Sequence, residues 1–260
     1  MAFISQAKGY LNHFFNEVNE HSLQTPFLYE LYTLVIKSEK LNGNFSEIEL
    51  LRASLINDDN EISISKMGAG SAVSASTKRK ISDIAKHSLT KQKYSALFYR
   101  LIKYFNIREI VELGTSFGIN TLYLSKFEAT KVATFEGCAN TANVARTIFE
   151  KVGASNVKIV EGDIDKTLSA YLDGGIKPDL FYLDANHSYL PTMHYFDLVL
   201  KNKHDQTILI LDDIHWSGEM NKAWKQICAH PEVKLSLDLF RCGIVFFKHD
   251  LTKQHFHLMY

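Results

Sequence analysis

The chain has 260 residues, 46% of them apolar and 22% charged. That balance suits a globular protein with room for one large α/β domain, or for one domain with a smaller appendage. The 29 basic and 29 acidic side chains cancel, so the positive surplus needed for general nucleic-acid binding is missing.

Residues 1 to about 58 read as helical: Phe14, Phe15 and Val18 fall at helical spacing, as do Leu28, Leu31, Tyr32 and Val35. The stretch 57–76 turns polar and then small, and reads as a loop or linker. The basic run Lys78-Arg79-Lys80 reads as a solvated stretch. A helix resumes near Ile81, and Tyr94 to Phe105 is a second one. Strands and helices then alternate. Strands are expected at 109–113, 131–136, 157–160, 180–184, 207–212, 234–239 and 243–248. Helices are expected at 120–126, 139–152, 167–172, 191–200 and 219–229. Short apolar strands alternating with helices predict a mostly parallel sheet covered on both faces. The short joint Phe240-Arg241-Cys242 lets the last two strands pair antiparallel. This divides the chain into an N-terminal helical extension, 1–85, and an α/β domain, 86–260.

Cys138, Cys228 and Cys242 are scattered and show no CxxC spacing, so neither a disulfide framework nor a cysteine-built zinc site is expected. Reduced thiols point to a cytoplasmic protein. The N-terminus has no signal-peptide pattern. No run approaches the roughly 18 apolar residues of a membrane span.

In parallel sheets of this kind, ligands sit outside the carboxyl ends of the strands. The first of these ends is Glu112-Leu113-Gly114-Thr115-Ser116-Phe117-Gly118. Gly114 admits a backbone conformation closed to side chains and lets the backbone approach a ligand, and the next helix would point amides at it. The same stretch also serves as a plain strand-to-helix turn. It is not GxGxxG, because Ser116 stands where a closely spaced second glycine would be, which counts against a nicotinamide-dependent oxidoreductase. Glu136 ends the second strand, where an acid can accept both ribose hydroxyls of a nucleoside, or simply stand at the start of a helix. Asp163, in Glu-Gly-Asp-Ile-Asp, is placed to accept from an adenine amino group.

The fourth and fifth strands end in Asp184-Ala185-Asn186-His187 and in Asp212-Asp213-Ile214-His215. Asp184, Asp212 and Asp213 on neighbouring strands repel unless a proton or cation intervenes. A hard divalent ion such as Mg²⁺ suits an oxygen-rich set. The alternative for these acids is helix capping. His187 and then His215 are the candidate bases.

The ordered set Glu112-x-Gly114-x-x-x-Gly118, Glu136, Gly162-Asp163, Asp184 and Asp212-Asp213 resembles the class I S-adenosylmethionine-dependent methyltransferases. It is similar to their cation-dependent and macrocin-type O-methyltransferases over about residues 86–260. The resemblance implies a doubly wound, Rossmann-like sheet of seven mostly parallel strands with a terminal antiparallel hairpin. It also implies that Glu112, Gly114, Ser116 and Gly118 line the methionine end of the cofactor, with Glu136 on the ribose and Asp163 by the adenine. Asp184, Asp212 and Asp213 would fall where those families hold a metal, and Asp184 would also border the cofactor. The catalytic lysine of the catechol type has no counterpart after Asp184. The expected activity is methyl transfer to a hydroxyl of a small-molecule acceptor. A non-catalytic S-adenosylmethionine sensor is the rival on the same fold. The Gly68-Ala69-Gly70-Ser71 loop reads as a lid or a linker, Trp216 as an acceptor-pocket residue, Trp224 as core, and the N-terminal helices as a possible homodimer surface.

Overall fold

Residues 13–40, 43–64 and 77–260 are described by a computed structural model. In chain order the strands are β1 (Glu17–Val18), β2 (Glu61–Ile64), β3 (Thr77–Lys80), β4 (Glu109–Leu113), β5 (Lys131–Glu136), β6 (Val157–Glu161), β7 (Leu180–Leu183), β8 (Ile208–Leu211), β9 (Leu235–Asp238), β10 (Gly243–Phe246) and β11 (Gln254–Leu258). The α-helices are α1 (Pro26–Glu30), α2 (Ser46–Ile56), α3 (Ile81–Ser88), α4 (Gln92–Phe105), α5 (Ile119–Leu124), α6 (Ala139–Val152), α7 (Ile164–Leu172), α8 (Tyr189–Asn202) and α9 (Gly218–Ala229).

The chain forms two compact units, one from Met1–Glu39 with Gly174–Tyr260 and the other from Lys40–Asp173. A boundary near residue 85 falls inside the second. Six paired strands lie in the first unit, and three in the second besides the β2-β3 ribbon.

In the first unit the order is β1-β11-β9-β10-β8-β7. β7 and β8 run parallel, and β10 runs antiparallel to both β8 and β9. β11 runs parallel to β9, and β1 parallel to β11. The cores of β7 (Leu-Phe-Tyr-Leu) and β8 (Ile-Leu-Ile-Leu) are buried throughout, as strands covered on both faces require. The antiparallel terminal hairpin is therefore present, but the six strands of this unit and the three parallel strands of the second make nine where seven were expected. The two additions are β1 and β11. Neither carries a long apolar run: β1 is two residues long, and β11 alternates Gln, His, Phe, His, Leu.

The N-terminal stretch also departs from an all-helical reading. Val18 is in a strand, and Phe14 and Phe15 are exposed. The second apolar series does form one buried stripe. Leu28 lies on α1, while Leu31, Tyr32 and Val35 lie on a π-helical turn, Leu31–Ile36.

In the second unit β4, β5 and β6 are parallel neighbours. Within the expected 57–76 loop, residues 57–60 are irregular, but Glu61–Ile64 form β2, which pairs antiparallel with β3. Lys78, Arg79 and Lys80 are exposed on β3, as a solvated run should be. The Gly68–Ser71 loop lies outside the described residues. Phe45, Ile48, Tyr99, Phe117, Tyr123 and Phe149 form the main core here. Left-handed residues end two helices cleanly, Asn106 after α4 and Gly153 after α6.

Candidate active site

The turn after β4 is built by local constraints. Gly114, Ser116 and Gly118 all have positive φ. The amides of Gly114 and Thr115 both donate to the Phe135 carbonyl at the end of β5, at 2.9 and 3.1 Å. At Gly118 a Cβ would overlap the Phe149 ring, so glycine is required by space as well as by dihedral. Ser116, with no such freedom, is held in its left-handed conformation by its amide, which donates to Glu136 Oε2 at 2.9 Å. Its hydroxyl lies 3.1 Å from that of Ser88.

Glu136 thus ties the two strand ends together, because its Oε1 also accepts from the Cys138 amide at 2.9 Å. Burial raises its pKa, and the backbone donors only partly offset this. Asp163 instead caps α7: it accepts from the Asp165 amide at 3.2 Å, and its side chain is substantially exposed. Glu112 is fully buried. One oxygen accepts from Asn120 at 2.9 Å, and the other from Thr121 and Thr134 at 2.5 and 2.7 Å. These bonds brace β4 against α5 and β5, a role that the sequence does not disclose.

In the first unit, β7 and β8 carry the acid cluster. The Tyr182 hydroxyl lies within hydrogen-bond distance of both Asp184 Oδ2 and Asp212 Oδ2, at 3.1 and 3.0 Å. His187 Nε2 lies 3.3 Å from Asp184 Oδ1. Burial and then the charge of Asp212 push Asp184 up to about 6. Burial and Asp212 also raise Asp213. Burial works against a charged His187, but its hydrogen bond with Asp184 and that carboxylate's charge outweigh it and raise the imidazole.

Arg241 is the residue that sequence reasoning missed. Its Nε and Nη2 donate to the two oxygens of Asp212 at 3.2 and 3.3 Å, and Nη2 lies 3.9 Å from Asp213. Burial disfavours the guanidinium charge, yet the charges of Asp212 and Asp213 raise its pKa. The signal lay in topology. β10 runs antiparallel beside β8, with Gly243 opposite Leu211, so the turn before β10 meets the residues just after β8.

Asp212 is therefore occupied by a cation from the chain itself. The donors that gather within 4.8 Å of one another are those of Asp184, His187 and Asp213. His215 is elsewhere engaged. It is buried, with Nε2 2.8 Å from Asp238 and Nδ1 2.9 Å from Asn221 Nδ2, and it stacks on Phe240. Neither ring nitrogen is left to take a substrate's proton. Trp224 is buried core, and Trp216 is half exposed beside Asp213, to whose carbonyl its amide donates.

Residues 111–214 match the family model described as a methyltransferase domain. No curated protein matches the sequence. Solved structures of similar fold include the O-methyltransferase from Bacillus cereus in complex with SAH. It is 16% identical, with a TM-score of 0.55, covering 88% of this chain and 100% of that one. The SAH-bound Podospora anserina methyltransferase PaMTH1 is 18% identical, with a TM-score of 0.56, covering 63% and 81%. The O-methyltransferase TomG from Streptomyces achromogenes, in complex with SAM, is 17% identical, with a TM-score of 0.53, covering 62% and 82%. At such identities the likeness is one of fold. Among the described residues no helix is long and apolar enough to cross a membrane. The glycine turn and the strand-end acids lie inside the segment that matches the methyltransferase-domain model, and the Rossmann-like α/β fold around them is the one these solved methyltransferases share.

Proposed function

We propose that the protein transfers a methyl group from S-adenosylmethionine to a hydroxyl of a small molecule, assisted by a divalent cation. The observation that carries the reading is Glu136, a partly buried carboxylate at a strand end, bonded to the left-handed Ser116 of the glycine turn. Such a carboxylate suits the two ribose hydroxyls of a nucleoside. The open backbone at Gly114 suits the methionine end. Asp163 would sit by the adenine through the oxygen that its cap leaves over.

Bound S-adenosylmethionine supplies a methyl group already activated on sulfonium, so the protein's task is alignment and proton removal. His187 is the proposed base. Its Nε2 faces Asp184, which orients the ring and favours its protonated form. The carboxylates of Asp184 and Asp213 fit a hard cation, which binds through one or two carboxylates and keeps its waters. When bound, such an ion lowers the pKa of a coordinated hydroxyl. Asp212, neutralised by Arg241, would steer its neighbours and take no ligand role. Trp216 would offer its exposed indole to the acceptor. A homodimer through the N-terminal region belongs to the same proposal.

Calorimetric titration with S-adenosylhomocysteine, with and without Mg²⁺, tests the cofactor, and an acceptor screen with Asp184→Ala tests the acids. The expected outcome is micromolar binding by both proteins, with transfer lost only in the variant. Absence of binding by folded wild type would overturn the reading, and parallel loss of binding and transfer in the variant would remove Asp184 from its assigned role.

A further inference from the structure

A second polar cluster lies in the first unit, built from the sheet's added edge. β9 and β11 run parallel, with His255 opposite Ser236 and His257 opposite Asp238. Residues two apart on a strand share a face, so Ser236, Asp238, His255 and His257 project to one side. Donor atoms of Asp238, His255 and His257 all lie within 4.8 Å of one another.

We infer that His255, His257 and Asp238 form a binding site for a divalent transition-metal ion of the zinc class. The distances suit it. Zinc holds nitrogen and carboxylate oxygen at about 2.0–2.2 Å, which puts neighbouring ligand atoms roughly 3–4 Å apart. His257 Nε2 lies 3.7 Å from Asp238 Oδ2, too far for a hydrogen bond and right for a shared ion. Two imidazoles and one carboxylate select zinc and its neighbours over Mg²⁺.

The surroundings hold the ligands in place. Asp238 is buried and accepts from the Phe240 amide at 2.8 Å, from His215 Nε2 at 2.8 Å and from Trp224 Nε1 at 3.2 Å. His215 and Trp224 both fall on Oδ2 and the Phe240 amide on Oδ1, so the acceptor position left for an ion is on Oδ1. The Ser236 hydroxyl lies 2.8 Å from His255 Nδ1 and fixes that ring, and partners of this kind orient metal-bound histidines. Burial disfavours a charged Asp238, but His215 outweighs it and keeps the carboxyl below the usual range. Burial lowers both His255 and His257, and each also feels other imidazoles. His255 is exposed and His257 partly so, which leaves solvent access. His13 closes the other side, with Nε2 3.5 Å from Asp238 Oδ1 and its ring 5.5 Å from that of His257. The ion would pin β11 to β9.

The test uses full-length protein, free of any histidine tag and stripped with a chelator. Zn²⁺ is titrated against a chromogenic competitor, and the melting temperature is followed. With excess Mg²⁺ present to occupy the Asp184 and Asp213 acids, one tightly held Zn²⁺ per chain is expected, with a raised melting temperature. Affinity should fall at least about tenfold in His255→Gln and in His257→Gln. No binding by folded protein would overturn the inference, as would binding that depends on Asp213 and not on the two histidines. Should a histidine variant fail to fold, anomalous diffraction from zinc-soaked wild-type crystals decides. A peak between His255 and His257 supports the site, and a peak elsewhere or none overturns it.

Discussion

The guanidinium of Arg241 grips both carboxylate oxygens of Asp212, at 3.2 and 3.3 Å, and Asp212 is only 1% exposed. Two-point pairing of this kind fixes geometry as well as charge. Removing the cation leaves a buried carboxylate with the Tyr182 hydroxyl as its remaining side-chain donor. Arg241→Met should cost about 3–5 kcal/mol of stability, read by urea denaturation. Adding Asp212→Asn should recover part of that loss, since the uncompensated charge is then gone. An Arg241→Met protein as stable as wild type would show that the pair is not what neutralises Asp212.

Glu136 makes cofactor binding sensitive to pH. Its folded pKa is raised by burial, so it takes up a proton at a higher pH than an ordinary glutamate. Ribose binding needs the ionised form, is fully present well above that pKa and is lost as pH falls through it. S-adenosylhomocysteine affinity should therefore decline from neutral into mildly acidic buffer. Glu136→Gln should bind more weakly at pH 7 and show a flatter profile. Parallel pH profiles for variant and wild type would remove Glu136 from the ribose site.

Gly118 is fixed by shape. A methyl group there meets the Phe149 ring while the backbone sits at φ 78°. Overpacking and left-handed strain together predict that Gly118→Ala loses about 2 kcal/mol or more. That corresponds to a fall of about 4 °C or more in melting temperature, read by calorimetry. An unchanged melting temperature would mean that Phe149 moves aside at no cost.

The thiols should be inert in the native state. Burial raises Cys228 to about 12 and lifts Cys242 well above the usual range, and Cys138 is buried. The thiolate is the reactive form. Iodoacetamide at neutral pH should label all three only after denaturation, as intact-mass measurement would show. Rapid labelling of Cys228 in folded protein would contradict its environment here.

The sequence alone determined the strands from β4 to β10, most of which are apolar runs buried on both faces. It also marked the glycine turn and placed an acid at or beside the ends of the first five of them, where backbone groups lie open to a ligand. It did not determine where those acids point. Glu112 turns inward to Asn120, Thr121 and Thr134, Asp212 turns to Arg241, and His215 turns to Asp238. Each choice depends on a partner brought close by the fold, and a lone acid or imidazole in a sequence carries no mark of its partner. The edge strand β1 and its neighbour β11 were hidden for a related reason. Their place comes from backbone pairing with a neighbour, which leaves no hydrophobic period to read. Only the tertiary structure, by laying β11 beside β9, sets His255 and His257 against Asp238.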